Sequence, residues 1–238
     1  MFPDHVSTLS VTDPELVEIF DNFAFDEVYA HCHLESRTRL MVQLAALIAC
    51  GALAEYQVML RAALTVGVTP TEAKEIVYQA VPYVGMGRVF DFIDATNTVL
   101  TERGVDLPLQ SQSATTRADR AEKGRALQEQ VAGADRVEAM YAGAADDEAH
   151  FQQFLSANCF GDHVARGGIA VSVRELLTFA MLISLGGADP QARGHVAGNL
   201  NVGNTRQQLL DVITVLVPFI GYPRSLNALA AVNDVTKA

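Results

Sequence analysis

Leu40 to Ala73, LMVQLAALIACGALAEYQVMLRAALTVGVTPTEA, and Leu176 to Leu209, LLTFAMLISLGGADPQARGHVAGNLNVGNTRQQL, read as two versions of one stretch. Displaced by 136 positions, the chain matches itself without a gap, Ser36–Val99 on Ser172–Val235. Such self-similarity marks a duplicated structural unit. The residues that begin and end elements agree best: Gly51 with Gly187, Gly67 with Gly203, Thr69 with Thr205, Pro82 with Pro218 and Gly85 with Gly221. Leu40 and Leu176, Arg88 and Arg224, and Asn97 and Asn233 also correspond.

Each copy reads as a series of helices. Ser172-Val-Arg-Glu175 has the form of a capping box, in which a hydroxyl and a carboxylate satisfy each other's backbone amides before a long apolar run. Asp189-Pro190 resembles an N-cap followed by a first-turn proline, and the helix it opens is expected to end at Gly203, its counterpart at Gly67. Thr69-Pro-Thr-Glu72 and Thr205-Arg-Gln-Gln208 are further capping boxes, opening helices that should break or kink at Pro82 and Pro218. Leu209, Val212, Ile213 and Leu216 recur at helical spacing, and no segment alternates long enough to demand a strand. The expected fold is all-α, two helical repeats in tandem. Their expected limits are residues 1–105 and 118–238, with the polar, aperiodic stretch 106–117 as linker. The second copy adds a helix over roughly Ala118–Val131 and another around Asp147–Ala157, against which the first copy sets only a short helix opened by Asp13-Pro14. Asp146-Asp147-Glu148 would complement the dipole of the helix it precedes.

Composition narrows the function. Half of the 238 residues are hydrophobic and 19% are charged, which suits a globular chain with a real core. A formal net charge of -11 disfavours a phosphate-backbone binder, so nucleic acid is not an expected partner. The apolar run from Met41 to Ala54 is broken by Gln43 and closed by Glu55, too short for a membrane span of about 20 residues. The opening residues MFPDHVSTLSVTDPEL lack the basic and apolar regions of a secretory signal, so the mature chain is expected to begin near Met1. Cys32, Cys50 and Cys159 are odd in number and form no CxxC, which argues against a disulfide framework and for a cytoplasmic setting.

His195 is the residue most open to a chemical reading. Gly194 and Gly198 flank it in a helix interior, where each glycine costs about 0.5–1 kcal/mol relative to alanine. Position i+3 lies beside it on the helix surface, so Gly198 would leave free volume next to the imidazole. Copy one has Val58 and Ala62 at the matching sites. Two readings stay open: close helix packing around a satisfied core histidine, or a pocket histidine. His31-Cys32-His33 invites a metal reading, but residues two apart do not share a helix face and no carboxylate pair accompanies them; no metal site is expected. His150 and His163 read as surface or interface residues, and Cys50 as a buried core thiol.

His195-Val-Ala-Gly-Asn-Leu-Asn-Val-Gly-Asn-Thr205 with Val217-Pro-Phe-Ile-Gly-Tyr-Pro223 resembles the carboxymuconolactone decarboxylase family, within the alkylhydroperoxidase-D-like superfamily. Arg61-Ala-Ala-Leu-Thr-Val-Gly-Val-Thr69, Glu72, Ile76 and Tyr83-Val-Gly85 resemble the same stretch. Phe160-Gly-Asp-His-Val-Ala-Arg-Gly-Gly168 and Arg174-Glu-Leu-Leu-Thr178 resemble other pieces of full-length members. The resemblance implies a helical homo-oligomer whose site lies near a Glu-x-x-x-His motif. Here Glu55 faces Met59 in copy one, and Gln191 precedes His195 in copy two, so neither copy has the pair. Pairing of Glu55 with His195 between the copies would restore one. A peroxidase of this superfamily carries a CxxC that is absent here, so thiol peroxidase chemistry is not expected.

What the resemblance implies for function is cofactor-independent acid/base chemistry on a small unsaturated carboxylic acid or lactone, decarboxylation included. An imidazole suits the proton transfer. His195 and Asp162 are the implied catalytic residues. Arg166, Arg174, Arg193, Gln191 and Gly198 are the implied substrate-binding set, with Arg224 reading rather as a helix-start or interface arginine. The alternative is a catalytically decayed assembly or small-molecule-binding protein of the same fold. A pocket beside His195 lined by an arginine distinguishes the two.

Overall fold

The computed structural model describes residue 7 and residues 9–237, so part of the opening stretch read for a signal lies outside it. Regular structure among the described residues is helical, with no strand. The first repeat comprises a helical turn Leu9–Thr12, α1 (Pro14–Asn22), a π-helical stretch Phe23–Glu27 continued by the turn Val28–Ala30, α2 (Ser36–Cys50), α3 (Leu53–Thr65), α4 (Pro70–Val84) and α5 (Met86–Glu102). The second comprises α6 (Arg120–Ala132), α7 (Ala134–Ala142), α8 (Ala149–Phe154), a π-helical stretch Leu155–Val164, α9 (Val171–Leu185), α10 (Asp189–Asn201), α11 (Arg206–Ile220) and α12 (Tyr222–Thr236). Helices α3, α4 and α5 start 136 residues before α10, α11 and α12, so the duplication seen in sequence is kept in the elements.

The longest apolar runs become the central pair. Helices α2 and α9 pack on each other, while α4 reaches α9 and α11 reaches α2, a pseudo-two-fold exchange. Leu40, Ile48, Met59, Phe179, Met181 and Leu216 belong to one continuous apolar cluster that draws on both repeats. At about 1.5–3 kcal/mol for each fully buried large aliphatic or aromatic side chain, this shared burial holds the copies together. Residues 106–117 lack helix but lie against the body: Gln112 O accepts Gly167 N–H at 2.8 Å and Thr115 Oγ1 donates to Gly161 O at 2.9 Å.

Thr69 and Thr205 both cap as reciprocal boxes, with Glu72 and Gln208. Ser172 does not. Helix α9 begins at Val171 after Ala170 with no side-chain cap, because the Glu175 carboxylate is turned into the interior. Asp189 is likewise the first residue of α10 rather than its cap. Gly67 and Gly203, at φ +96° and +91°, each lie two residues beyond a helix end in the left-handed region.

Of the break or kink expected at Pro82, the break does not occur, since α4 runs on to Val84. A proline in the last turn removes one N–H and orphans the carbonyl four residues earlier. That carbonyl, Tyr78 O, takes a hydrogen bond from His163 Nδ1 of the other repeat at 2.9 Å. Helix α11 also runs past its proline, Pro218, to Ile220. Cys50 departs from its expectation too: it is half-buried at the end of α2, its Sγ 3.8 Å from both Ser184 O and Arg224 Nη1. Burial is the main cause that pushes its thiol up. His33 sits in the loop before α2, its backbone N–H and Nδ1 on Asp211 at 3.2 and 3.4 Å. Among the described residues no three histidine, cysteine or carboxylate side chains gather as metal ligands, and no helix is long and apolar enough to cross a membrane.

Candidate active site

A cavity of about 500 Å³ opens beside His195. Its walls come from Pro82 and Tyr83 at the end of α4, Val131 of α6, Arg136 and Met140 of α7, Cys159 and Phe160 of the π-helical stretch, Leu182 and Leu185 of α9, the connection 186–188, and Gln191, Gly194 and His195 of α10. Both repeats therefore contribute, together with α6 and α7, which have no counterpart among the described residues of the first.

His195 is held from behind. Its Nδ1 lies 2.8 Å from Glu175 Oε2, the imidazole one-fifth exposed and the carboxylate fully buried. The other carboxylate oxygen, Oε1, has no protein partner. Asn199 Nδ2 donates to the carbonyls of His195 (2.7 Å) and Glu175 (3.1 Å), and Asn204 Nδ2 donates to Asn199 Oδ1 at 2.8 Å. The Asn199–Glu175 bond ties α10 to α9, and the Nδ1 contact with Glu175 orients the ring. With Nδ1 committed to Glu175, Nε2 is the nitrogen left for chemistry.

Tyr83, from the first repeat, meets the His195 ring edge-on at 6.1 Å between centroids. Burial, then the proximity of Cys159 and Glu175, pushes its phenol well up, so it stays a neutral O–H donor. Burial also pushes the Cys159 thiol up to about 12, which leaves it protonated and a poor nucleophile near neutrality.

The two flanking glycines have distinct spatial reasons. A Cβ at Gly194 would stand 2.8 Å from Arg136 Nη2, so the missing side chain lets that exposed guanidinium lie against α10 at the cavity mouth. A Cβ at Gly198 would stand 2.9 Å from Glu175 Oε2 and 3.1 Å from Val131 Cγ1. The volume expected beside the imidazole at Gly198 is thus filled, chiefly by the carboxylate that positions it.

Of the residues singled out from sequence, His195 and Gln191 line the cavity and Gly198 lies just behind it. Asp162, Arg166, Arg174 and Arg193 do not line it. Asp162 pairs with Arg120 and accepts from Asn158 Nδ2 at 3.1 Å. Arg166 and the fully buried Arg174 both bind Glu75 of the first repeat at 2.9 Å. Arg193 forms an exposed pair with Asp234 at 2.8 Å. Glu55 is not among the lining residues either. Sequence reasoning missed Glu175, Tyr83 and Arg136. Glu175 stood in plain view but was assigned to a cap, whereas Tyr83 and Arg136 reach the site only through packing between repeats and through an added helix.

The matching place in the first repeat is built differently. Met59 replaces His195, Arg39 replaces Glu175, Ala63 replaces Asn199 and Phe219 replaces Tyr83. Met59 is fully buried, Phe20 packs edge-on against Phe219 at 5.8 Å, and Arg39 lies 3.7 Å over the Tyr29 ring. Met59 takes the histidine's place, and aromatic contacts surround the residues that match Tyr83 and Glu175.

Two comparisons bear on this arrangement. The model of the carboxymuconolactone decarboxylase family matches residues 14–98 and again residues 149–234. A 4-carboxymuconolactone decarboxylase of Acinetobacter baylyi (strain ATCC 33305 / BD413 / ADP1) is 29% identical over 118 residues, covering 50% of this chain and 87% of that relative.

Proposed function

The chain belongs to the carboxymuconolactone decarboxylase family as a tandem duplicated member, and on that premise we propose that its second repeat is a cofactor-independent enzyme for a small unsaturated carboxylic acid or lactone. The observation that carries this reading is the His195–Glu175 pair at 2.8 Å, opening on a cavity of about 500 Å³ with an arginine at its mouth. In a decarboxylation the bond from carbon to the carboxylate breaks, carbon dioxide leaves, and the electron pair enters an extended enolate. A proton from His195 Nε2 is then delivered to a carbon of that enolate, a general-acid contribution of about 10²–10⁴ in rate. Tyr83 packs edge-on against the imidazole, its hydroxyl bonded to Thr178 and Cys159, and Arg136 with Gln191 holds the polar end of the substrate. Glu175 is a positioning residue, acting through the imidazole.

Progress curves with 4-carboxymuconolactone and related lactone acids, following ultraviolet loss of substrate and release of carbon dioxide, test the reading. Wild-type turnover that falls at least about 10²-fold in His195→Ala supports it. A folded wild-type chain that turns over none of these acids overturns it. The rival reading, ligand binding without turnover, draws on Gln191, an amide in the cavity wall that cannot transfer protons; saturable binding with no product would favour it.

A further inference from the structure

A second cavity, of about 430 Å³, lies between α4, α5 and the segment joining the repeats. It shares no lining residue with the His195 cavity, and its size falls within the roughly 300–1,000 Å³ of small-molecule sites. Its electrostatics are unbalanced. The buried Glu75 carboxylate serves two guanidinium groups: it takes Arg166 Nε and Nη2 and Arg174 Nη2, all within 2.9–3.0 Å. One anion against two cations leaves one positive charge in excess before Lys74 is counted. Lys74 lines the same cavity, and its Nζ hydrogen-bonds a neutral group, Asn97 Oδ1, at 2.7 Å, while Asp94 acts on it at longer range.

The Tyr78 ring gathers the two lining cations, with Lys74 Nζ 5.2 Å and Arg166 Cζ 5.1 Å from its centroid. Leu107, Pro108 and Leu109 supply an apolar wall. A partly desolvated cation without a bonded carboxylate beside open volume is a receptor for an anion. The nearby Glu75 and Asp94 charges disfavour a dianion, and the apolar wall favours an organic body. Copy two has Leu210 and Thr214 where copy one has Lys74 and Tyr78, so the feature belongs to the first repeat alone. We propose that this cavity is a second binding site, for a small monocarboxylate with an apolar body, whose carboxylate sits on Lys74 beside the Arg166–Glu75–Arg174 cluster.

Calorimetric titration of the full chain with benzoate tests the proposal. One saturable site is expected that is weakened at least tenfold in Lys74→Met and in Lys74→Gln and unchanged in Arg136→Met, apart from any binding in the His195 cavity. In the unaltered protein, benzoate should also slow acetylation of Lys74 by an activated ester several-fold, read by peptide mass spectrometry, which requires no variant to fold. Absence of saturable heat, unaltered affinity in both Lys74 variants, or unprotected acetylation would overturn the site. Loss of binding in Arg136→Met would assign benzoate to the His195 cavity instead and so overturn it as well. Inorganic phosphate binding more tightly than benzoate in a Lys74-dependent manner would overturn the carboxylate assignment.

Discussion

His195 Nδ1 and Glu175 Oε2 stand 2.8 Å apart although 20 residues separate them in sequence, one on α10 and the other on α9. The carboxylate is fully buried and its second oxygen is unpartnered, so its interaction is directed at the imidazole. Glu175→Gln keeps the shape and removes the charge. It is expected to lower kcat by about 10²-fold or more with little change in KM. The pH profile of kcat should move, and Glu175→Asp should recover part of the rate. An unmoved profile would reduce Glu175 to a packing role.

Gly194 and Gly198 should respond oppositely to alanine. At 194 the obstructed atom is the end of a flexible arginine, which can swing aside. Helix propensity then gains about 0.5–1 kcal/mol, so Tm is kept or raised while KM increases. At 198 the obstructed carboxylate is buried and Val131 closes the other side. Overpacking there costs about 1–3 kcal/mol, which outweighs the propensity gain, and kcat should fall with stability. Thermal unfolding and steady-state kinetics of the two variants check the contrast.

Glu75 holds the repeats together through Arg166 and Arg174. Glu75→Gln leaves a fully buried guanidinium without its counter-charge, an error of about 3–5 kcal/mol. Urea unfolding should show that loss as a lower midpoint with an unchanged m-value. A variant as stable as the parent would mean that the cluster contributes no net stability.

His163 links pH to stability. Burial holds its imidazole below the ordinary value of 6.5, so below that pH the unfolded chain binds a proton that the native chain resists. Unfolding then takes up protons, and stability falls as pH drops from 6.5 toward the lowered native value. Scans between pH 7.5 and 5 should show Tm declining, and His163→Asn should flatten that part of the decline.

Much of the fold was legible. Helix-ending glycines, the Thr69 and Thr205 boxes and the displacement of 136 located the repeated helices because these features act within a few residues of themselves. The Ser172–Glu175 pattern failed for the converse reason: a carboxylate three residues into a helix can serve its own N-terminus or a neighbour, and local pattern does not choose. At Pro82 the helix continues rather than breaks, and the donor that takes up Tyr78 O comes from His163, 85 residues away. In the candidate site, His195 stands out in the sequence by its glycine neighbours, and of the two readings open for Gly198 the close-packing one fits: it clears room for a carboxylate rather than leaving a hollow.

By itself, the sequence determined that this chain is all-helical, that one unit is present twice, and that the second unit alone carries His195 between glycines. Those properties follow from short-range periodicity, backbone sterics and identity of residues. Tertiary structure alone decided which groups surround that histidine. Glu175, Tyr83 and Arg136 converge from α9, from the first repeat and from an added helix, and convergence of segments distant in the chain is set by packing of faces rather than by spacing along it. The same reason moved Arg166 and Arg174 from the expected site to Glu75: a buried guanidinium goes to the carboxylate that the packed core brings to it.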